Sequence, residues 1–149
     1  MEIYNSTILV LGAGGMVGMA VCRELLKEKP LRIVLTSLHL HEVESAAETL
    51  RKELERRKIL DRYRGPVNEL DYNIFFEKEW GNIFMRDGLH QTADSPVENP
   101  EYRRMLIEDT IGEFGDGNGV ADKYFLYKVI NKYRPDIIID CINTCLLYT

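Results

Sequence analysis

The chain has 149 residues, close to the size of one domain, with 45% apolar and 29% charged residues. Its net charge of −5 comes with no basic stripe, which argues against nucleic acid as a partner. No apolar run approaches the roughly 20 residues of a membrane span, and the first residues form no cleavable leader.

The three cysteines, Cys22, Cys141 and Cys145, have no framework spacing and no histidine beside them to complete a zinc site. They read as free thiols in a reducing compartment, so the expected location is cytoplasmic.

In chain order, Thr7 to Leu11 is a continuous apolar run, the pattern of a strand covered on both faces. It enters Gly12-Ala13-Gly14-Gly15-Met16-Val17-Gly18 and then an amphipathic helix over Met16 to Lys29. Val17, Ala20, Val21 and Leu25 are its expected inward residues, and Lys29-Pro30 stops it. Strand, glycines and helix in that order suit a dinucleotide. One glycine allows the tight turn, a second lets the backbone approach a pyrophosphate, and a third lets helix and strand pack closely. The helix N-terminus adds free N–H groups and the positive end of its dipole.

Leu31 to Leu35 is a second short apolar run, which completes a βαβ unit. Over Glu42 to Lys58, Val43, Ala46, Ala47, Leu50 and Leu54 form a one-sided stripe. Glu48/Lys52 and Glu53/Arg57 are four apart in the favourable order on the solvated side.

Leu60 to Asp71, with Gly65-Pro66, reads as a loop, and Asn73 to Glu77 as a third strand. An irregular excursion is expected over about 78–99. Asn99-Pro100-Glu101 then starts an extra helix over about 100–114. Gly115-Asp116-Gly117-Asn118-Gly119 lacks the ligand spacing of a calcium loop and reads as a turn. Val120 to Tyr133 reads as a helix with Ala121, Phe125, Val129, Ile130 and Tyr133 inward, and Ile137 to Ile142 as the fourth strand.

This alternation predicts an α/β fold: a Rossmann-like doubly wound parallel sheet of strand order 3-2-1-4, in a single dinucleotide-binding domain over 1–149. Ligand is expected at the carboxyl ends of the strands, where the glycine turn meets Cys141, Asn143 and Thr144.

The turn Val10-Leu11-Gly12-Ala13-Gly14-Gly15-Met16-Val17-Gly18 resembles the Gly-x-x-Gly-x-x-Gly turn of extended short-chain dehydrogenases/reductases. Among them, it is similar to NAD-dependent epimerase/dehydratase proteins, including those of polysaccharide biosynthesis. The proline before strand 2 and the lead Lys132-Tyr133-Arg134-Pro135-Asp136-Ile137-Ile138 add to the likeness. It covers residues 7–58 and 132–144 well and 81–87 loosely.

The resemblance implies that Gly12 to Gly18, with Ala13, Gly14, Gly15, Met16 and Val17 between, wrap a pyrophosphate. Thr36-Ser37 stands where the family has a ribose-binding acid. A hydroxyl can donate to a ribose or to a 2′-phosphate, so NAD and NADP both remain open, with His39 and His41 the nearest cationic candidates. Gly81-Asn82 resembles the family's Gly-Asp beside adenine, which places Asn82 there. Asn143 and Thr144, after strand 4, would face the nicotinamide side.

The family's chemistry also needs a Tyr-x-x-x-Lys pair after a fifth strand. The one such string here, Tyr124 to Lys128, precedes strand 4. The expectation is therefore the N-terminal, cofactor-binding half of an oxidoreductase or nucleotide-sugar epimerase/dehydratase, inactive alone. The run Thr144-Cys145-Leu146-Leu147-Tyr148-Thr149 resembles translated adapter sequence rather than a native end. The alternative is a Rossmann-type sensor or interaction module without chemistry. A phosphate-binding Gly-x-x-x-x-Gly-Lys-Ser/Thr loop is absent from the sequence. The substrate and any homo-oligomeric assembly stay open.

Overall fold

The computed structural model describes residues 2–64, 73–89, 99–111 and 123–142. They fall into two compact units, Met1–Gly81 with Tyr133–Thr149, and Asn82–Lys132.

The first unit is built on four parallel strands: β1 (Thr7–Leu11), β2 (Arg32–Ser37), β3 (Phe75–Trp80) and β4 (Ile137–Asp140). Their order is β3-β2-β1-β4, as the alternation of elements predicts, and the sheet is Rossmann-like. Helices α1 (Met16–Leu25) and α2 (Leu40–Arg64) make the crossovers β1 to β2 and β2 to β3. Register pairs Leu9 with Val34 on one side and with Ile138 on the other.

One face of the sheet carries the main core. Ile8, Val10, Ile33, Leu35 and Phe76 meet Cys22 and Leu25 of α1 and Ala46, Ala47, Leu50 and Leu54 of α2. Leu9 and Val34, which alternate to the opposite face, are also wholly buried. Central strands buried on both sides explain why β1 and β2 read as unbroken apolar runs.

The register of β4 has a polar anchor as well. The Thr7 N–H donates to Asp136 Oδ2 at 2.8 Å, and the Asp136 N–H donates to Thr7 O at 2.8 Å. Asp136 after Arg134-Pro135 thus fastens the incoming strand to the start of β1. Arg134 itself adopts a left-handed φ of 45°, which turns the chain out of the preceding helix.

Several boundaries differ from the sequence expectation. The first helix ends at Leu25 and tightens into a 3-10 turn over Leu26–Glu28, and Lys29, at φ 52°, reverses the chain before Pro30. Its buried face is Gly18, Cys22 and Leu25. Val17 and Ala20 are exposed, because close packing at Gly18 rotates that glycine onto the strand. The second helix starts at Leu40 and runs past Lys58 to Arg64, through the first part of the expected loop, and the rest of that loop, Gly65-Pro66 included, lies outside the described residues.

β3 lies later than Asn73 to Glu77, because its charged half, Glu77 to Glu79, belongs to an edge strand. Charge on an edge discourages pairing with another chain. Glu48 pairs with Lys52 as expected, but Glu53 takes its bond from Arg23 of α1 at 2.7 Å instead of from Arg57.

The second unit holds α3 (Pro100–Ile111) and most of α4 (Phe125–Tyr133). Asn99 Oδ1 accepts the Glu101 N–H at 3.0 Å and caps α3. A bidentate pair, Arg86 Nε and Nη2 to Asp109, ties the segment before α3 to its last turn, with contacts of 2.6–3.0 Å. Arg86 and Tyr124 also form an isolated antiparallel bridge. Residues 112–122, the glycine-rich turn and Ala121 among them, lie outside the described residues. No helix among the described residues is long and apolar enough to cross a membrane.

Candidate functional site at the glycine turn

The glycine turn lies at the carboxyl end of β1, and backbone contacts fix the identity of two of its residues. Gly12 sits at φ 75°, open to glycine at little cost. A Cβ there would also lie 3.0 Å from Cys141 O and 3.1 Å from Cys141 C. The turn therefore packs directly against the chain leaving β4. Gly18 is more constrained: a Cβ would lie 2.2 Å from Gly12 O and 2.7 Å from Ala13 Cα. That contact is what lets α1 start so close to the end of β1.

Gly14 faces a different neighbour. A Cβ on it would approach Glu42 Cβ to 2.7 Å and Ser37 Oγ to 2.9 Å. Gly15 is exposed, and its only close neighbour would be Gly12 O at 3.4 Å. Met16 and Val17 follow it on the surface, 89% and 48% exposed.

Gly15 is the N-cap of α1, and no side chain caps the helix. The Ala13 N–H donates to Thr36 O at 2.7 Å and the Gly15 N–H to Gly12 O at 3.1 Å. The amides of Met16, Val17 and Gly18, in the first turn of α1, have no intrahelical acceptor and no partner among the described residues. The first turn carries no acidic side chain. Three donors and a positive helix end thus lie together at the start of α1, where Met16 and Val17 are exposed and Gly18 is packed beneath, a kind of helix start that suits an anion.

Thr36 and Ser37 end β2 beside this turn but differ in use. Thr36 is buried, and its hydroxyl donates to Val10 O at 3.1 Å. That proton is committed to the core, so the expected donation to a ribose or a 2′-phosphate does not come from Thr36. Ser37 is half-buried and donates through Oγ to Glu42 Oε2 at 2.5 Å, and the His39 N–H reaches the same oxygen at 3.2 Å.

Partial burial pushes the Glu42 carboxyl up, but the Ser37 hydroxyl, the His39 amide and the charges of His39 and His41 outweigh it. Its pKa lies below the usual carboxylate value. The His39 and His41 rings stack on one another with centroids 5.5 Å apart. Glu42 carries no signal in the sequence beyond being an acid in the first turn of a helix. Only the fold brings it back over Gly14.

Cys141 leaves β4 against Gly12, and its N–H donates to Leu11 O at 2.9 Å. Burial, with the nearby Asp140 charge, pushes its thiol up. Cys22, wholly buried in α1, is pushed up to about 12, mainly by burial. Neither thiol is poised as a nucleophile near neutral pH.

Gly12 to Gly18, Thr36, Ser37 and Cys141 are thus brought together in the first unit. Asn82 opens the second unit, where its Oδ1 accepts the Phe84 N–H at 3.0 Å. Asn143 and Thr144 lie outside the described residues.

The Tyr-x-x-x-Lys string is occupied elsewhere. Burial pushes the Tyr124 phenol up, and its hydrogen bond to Asp109 adds to the shift, the wrong direction for a general base. Lys128 is paired with Asp87. No group of three or more metal-ligating side chains occurs among the described residues.

No protein-family model matches the chain, and no curated protein matches it. Among solved structures, it is similar to Pen from Bacillus thuringiensis at 14% identity and a TM-score of 0.37. The match covers 94% of this chain and 38% of that one. An A-type ketoreductase from a modular polyketide synthase and an A1-type ketoreductase match at 20% identity, each with a TM-score of 0.37. Each of those matches covers 94% of this chain and 29% of the other. The chain therefore spans well under half of these proteins, and the Rossmann-like assignment rests on the sheet order itself.

Proposed function

We propose that this chain binds a nicotinamide dinucleotide, NAD or NADP, and is the cofactor-binding portion of an oxidoreductase or nucleotide-sugar epimerase/dehydratase. The observation that carries the reading is the uncapped start of α1. Three amides without partners among the described residues lie behind a turn where a Cβ at Gly18 would meet Gly12 O at 2.2 Å and one at Gly12, at φ 75°, would meet Cys141 O at 3.0 Å. The pyrophosphate lies across Gly14 to Val17, and the adenosine half extends over the end of β2 toward Ser37. Cys141 borders the turn at Gly12, and a nicotinamide-side role for Asn143 and Thr144 remains part of the proposal.

When bound, the cofactor supplies hydride chemistry, and the protein's part is position and electrostatics. The described residues include no acid–base pair suited to turnover, since Tyr124 and Lys128 are committed to Asp109 and Asp87. The substrate, a small molecule such as a nucleotide sugar, belongs to the parent enzyme.

Titration with NADH and NADPH, followed by nicotinamide fluorescence, tests the reading. Saturable binding that Gly15→Asp abolishes is expected, because Gly15 has room for a side chain and an acid there repels a phosphate. Absence of saturable binding by the folded chain refutes it.

A further inference from the structure

We infer that Glu42 is the ribose-reading acid of this chain, and that it makes the site selective for a dinucleotide with a free 2′-hydroxyl. The inference rests on the dinucleotide reading above and adds to it a specificity-determining residue that lies on a helix instead of at the strand end.

The geometry starts from β2. The strand ends in two hydroxyl residues, and neither offers its proton to a ligand. Thr36 donates to Val10 O, and Ser37 donates to Glu42 Oε2. The His39 N–H holds the same carboxylate oxygen. Both anchors fall on Oε2, so Oε1 accepts no hydrogen bond among the described residues.

One oxygen thus fixes the carboxylate in place, and the other keeps its capacity to accept a hydrogen bond. The carboxylate is also held against the turn, since Glu42 Cβ lies where a Gly14 Cβ would come within 2.7 Å. A residue larger than glycine at position 14 would displace it.

A free carboxylate oxygen beside a phosphate-binding turn is matched by a ribose diol, whose hydroxyls donate to it. Hydrogen bonds to a charged acceptor are stronger than neutral ones. A 2′-phosphate at the same place brings two negative charges against a third and offers no donor when ionised. Among the described residues, the imidazoles near Glu42 are those of His39 and His41, and both are exposed and stacked on each other. The strand-end hydroxyls, which taken alone would accept either cofactor, thus become supports for an acid that discriminates between them.

The test is competitive displacement on the full chain with ADP-ribose and 2′-phospho-ADP-ribose, together with direct titration by NADH and NADPH. The wild type is expected to prefer the forms lacking the phosphate by roughly tenfold or more. Glu42→Gln keeps the shape and removes the charge, and is expected to bring that preference close to one. Ser37→Ala, which frees the carboxylate from its anchor, is expected to weaken ADP-ribose binding with a smaller loss of preference. A wild type that prefers the phosphorylated forms, or a preference unchanged in Glu42→Gln, overturns the role of Glu42 while leaving the dinucleotide reading standing. Failure of the wild type to bind any of the four ligands overturns both.

Discussion

Gly18→Ala sets two backbone effects against each other. Alanine in the first turn of α1 gains about 1 kcal/mol of helix propensity over glycine. Against this, the new Cβ lies 2.2 Å from Gly12 O and 2.7 Å from Ala13 Cα, where ordinary contact begins at 3.4 Å. The opposing atoms are backbone, so no rotamer change can relieve the overlap, and the helix must move off the turn. Overpacking typically costs about 1–3 kcal/mol, and a rigid neighbour favours the upper end.

The net expectation is a loss of about 1–2 kcal/mol, which for a chain of this size lowers Tm by roughly 2–8 °C. Gly15→Ala is the control, since its Cβ would find only Gly12 O at 3.4 Å and its φ is −77°. That change is expected to stay within about 0.5 kcal/mol. Thermal unfolding followed by circular dichroism measures both variants. A Gly18→Ala variant that melts at or above the wild type would refute the close approach of α1 to the turn.

Other consequences are open to measurement. Leu50→Ala, at a wholly buried position in the core of the first unit, is expected to cost about 2–5 kcal/mol in denaturant unfolding. Cys22, with its thiol pushed up to about 12, is expected to resist iodoacetamide at neutral pH in the folded chain and to react once unfolded, as peptide mass mapping would reveal.

Asp109 is held below the usual carboxylate value chiefly by its hydrogen bonds from Arg86. Its contribution is therefore complete above the unfolded carboxyl range near about 4 and is lost as pH falls through the lowered folded value. Asp109→Asn is expected to remove up to about 1 kcal/mol at neutral pH and to flatten the acid limb of the stability curve. An acid limb of unchanged slope would contradict that pairing.

The sheet order was readable in the sequence because its signals are local. The run Thr7 to Leu11, the stripe Val43 to Leu54 and the alternation of elements each report burial along a few turns of chain. The phase of α1 was not readable. Val17, Ala20, Val21 and Leu25 make a plausible apolar face, yet the fit of Gly18 against Gly12 turns Cys22 inward and leaves Val17 out. β3 was placed early because Lys78 and Glu79 look unlike a strand, and only an edge position tolerates them.

The close-packed glycine turn was legible because its requirements fall on the backbone at fixed spacing: Gly12 meets Cys141, and Gly18 meets Gly12 and Ala13. The fate of the hydroxyls after β2 was not, since it depends on which partners the fold supplies. Thr36 finds Val10 O across the sheet, and Ser37 finds Glu42 one turn into α2. Spacing along the chain does not show that a helical acid returns over Gly14.

The central claim is that a dinucleotide's phosphates sit on the open amides of α1. Its most direct test is amide mapping by nuclear magnetic resonance while ADP-ribose is added to the labelled chain. The account predicts saturable shifts concentrated at Gly14 to Gly18 and at Ser37 to Glu42, with small changes along α2 beyond Leu50. An unperturbed Met16–Val17–Gly18 segment at saturating ligand would contradict it.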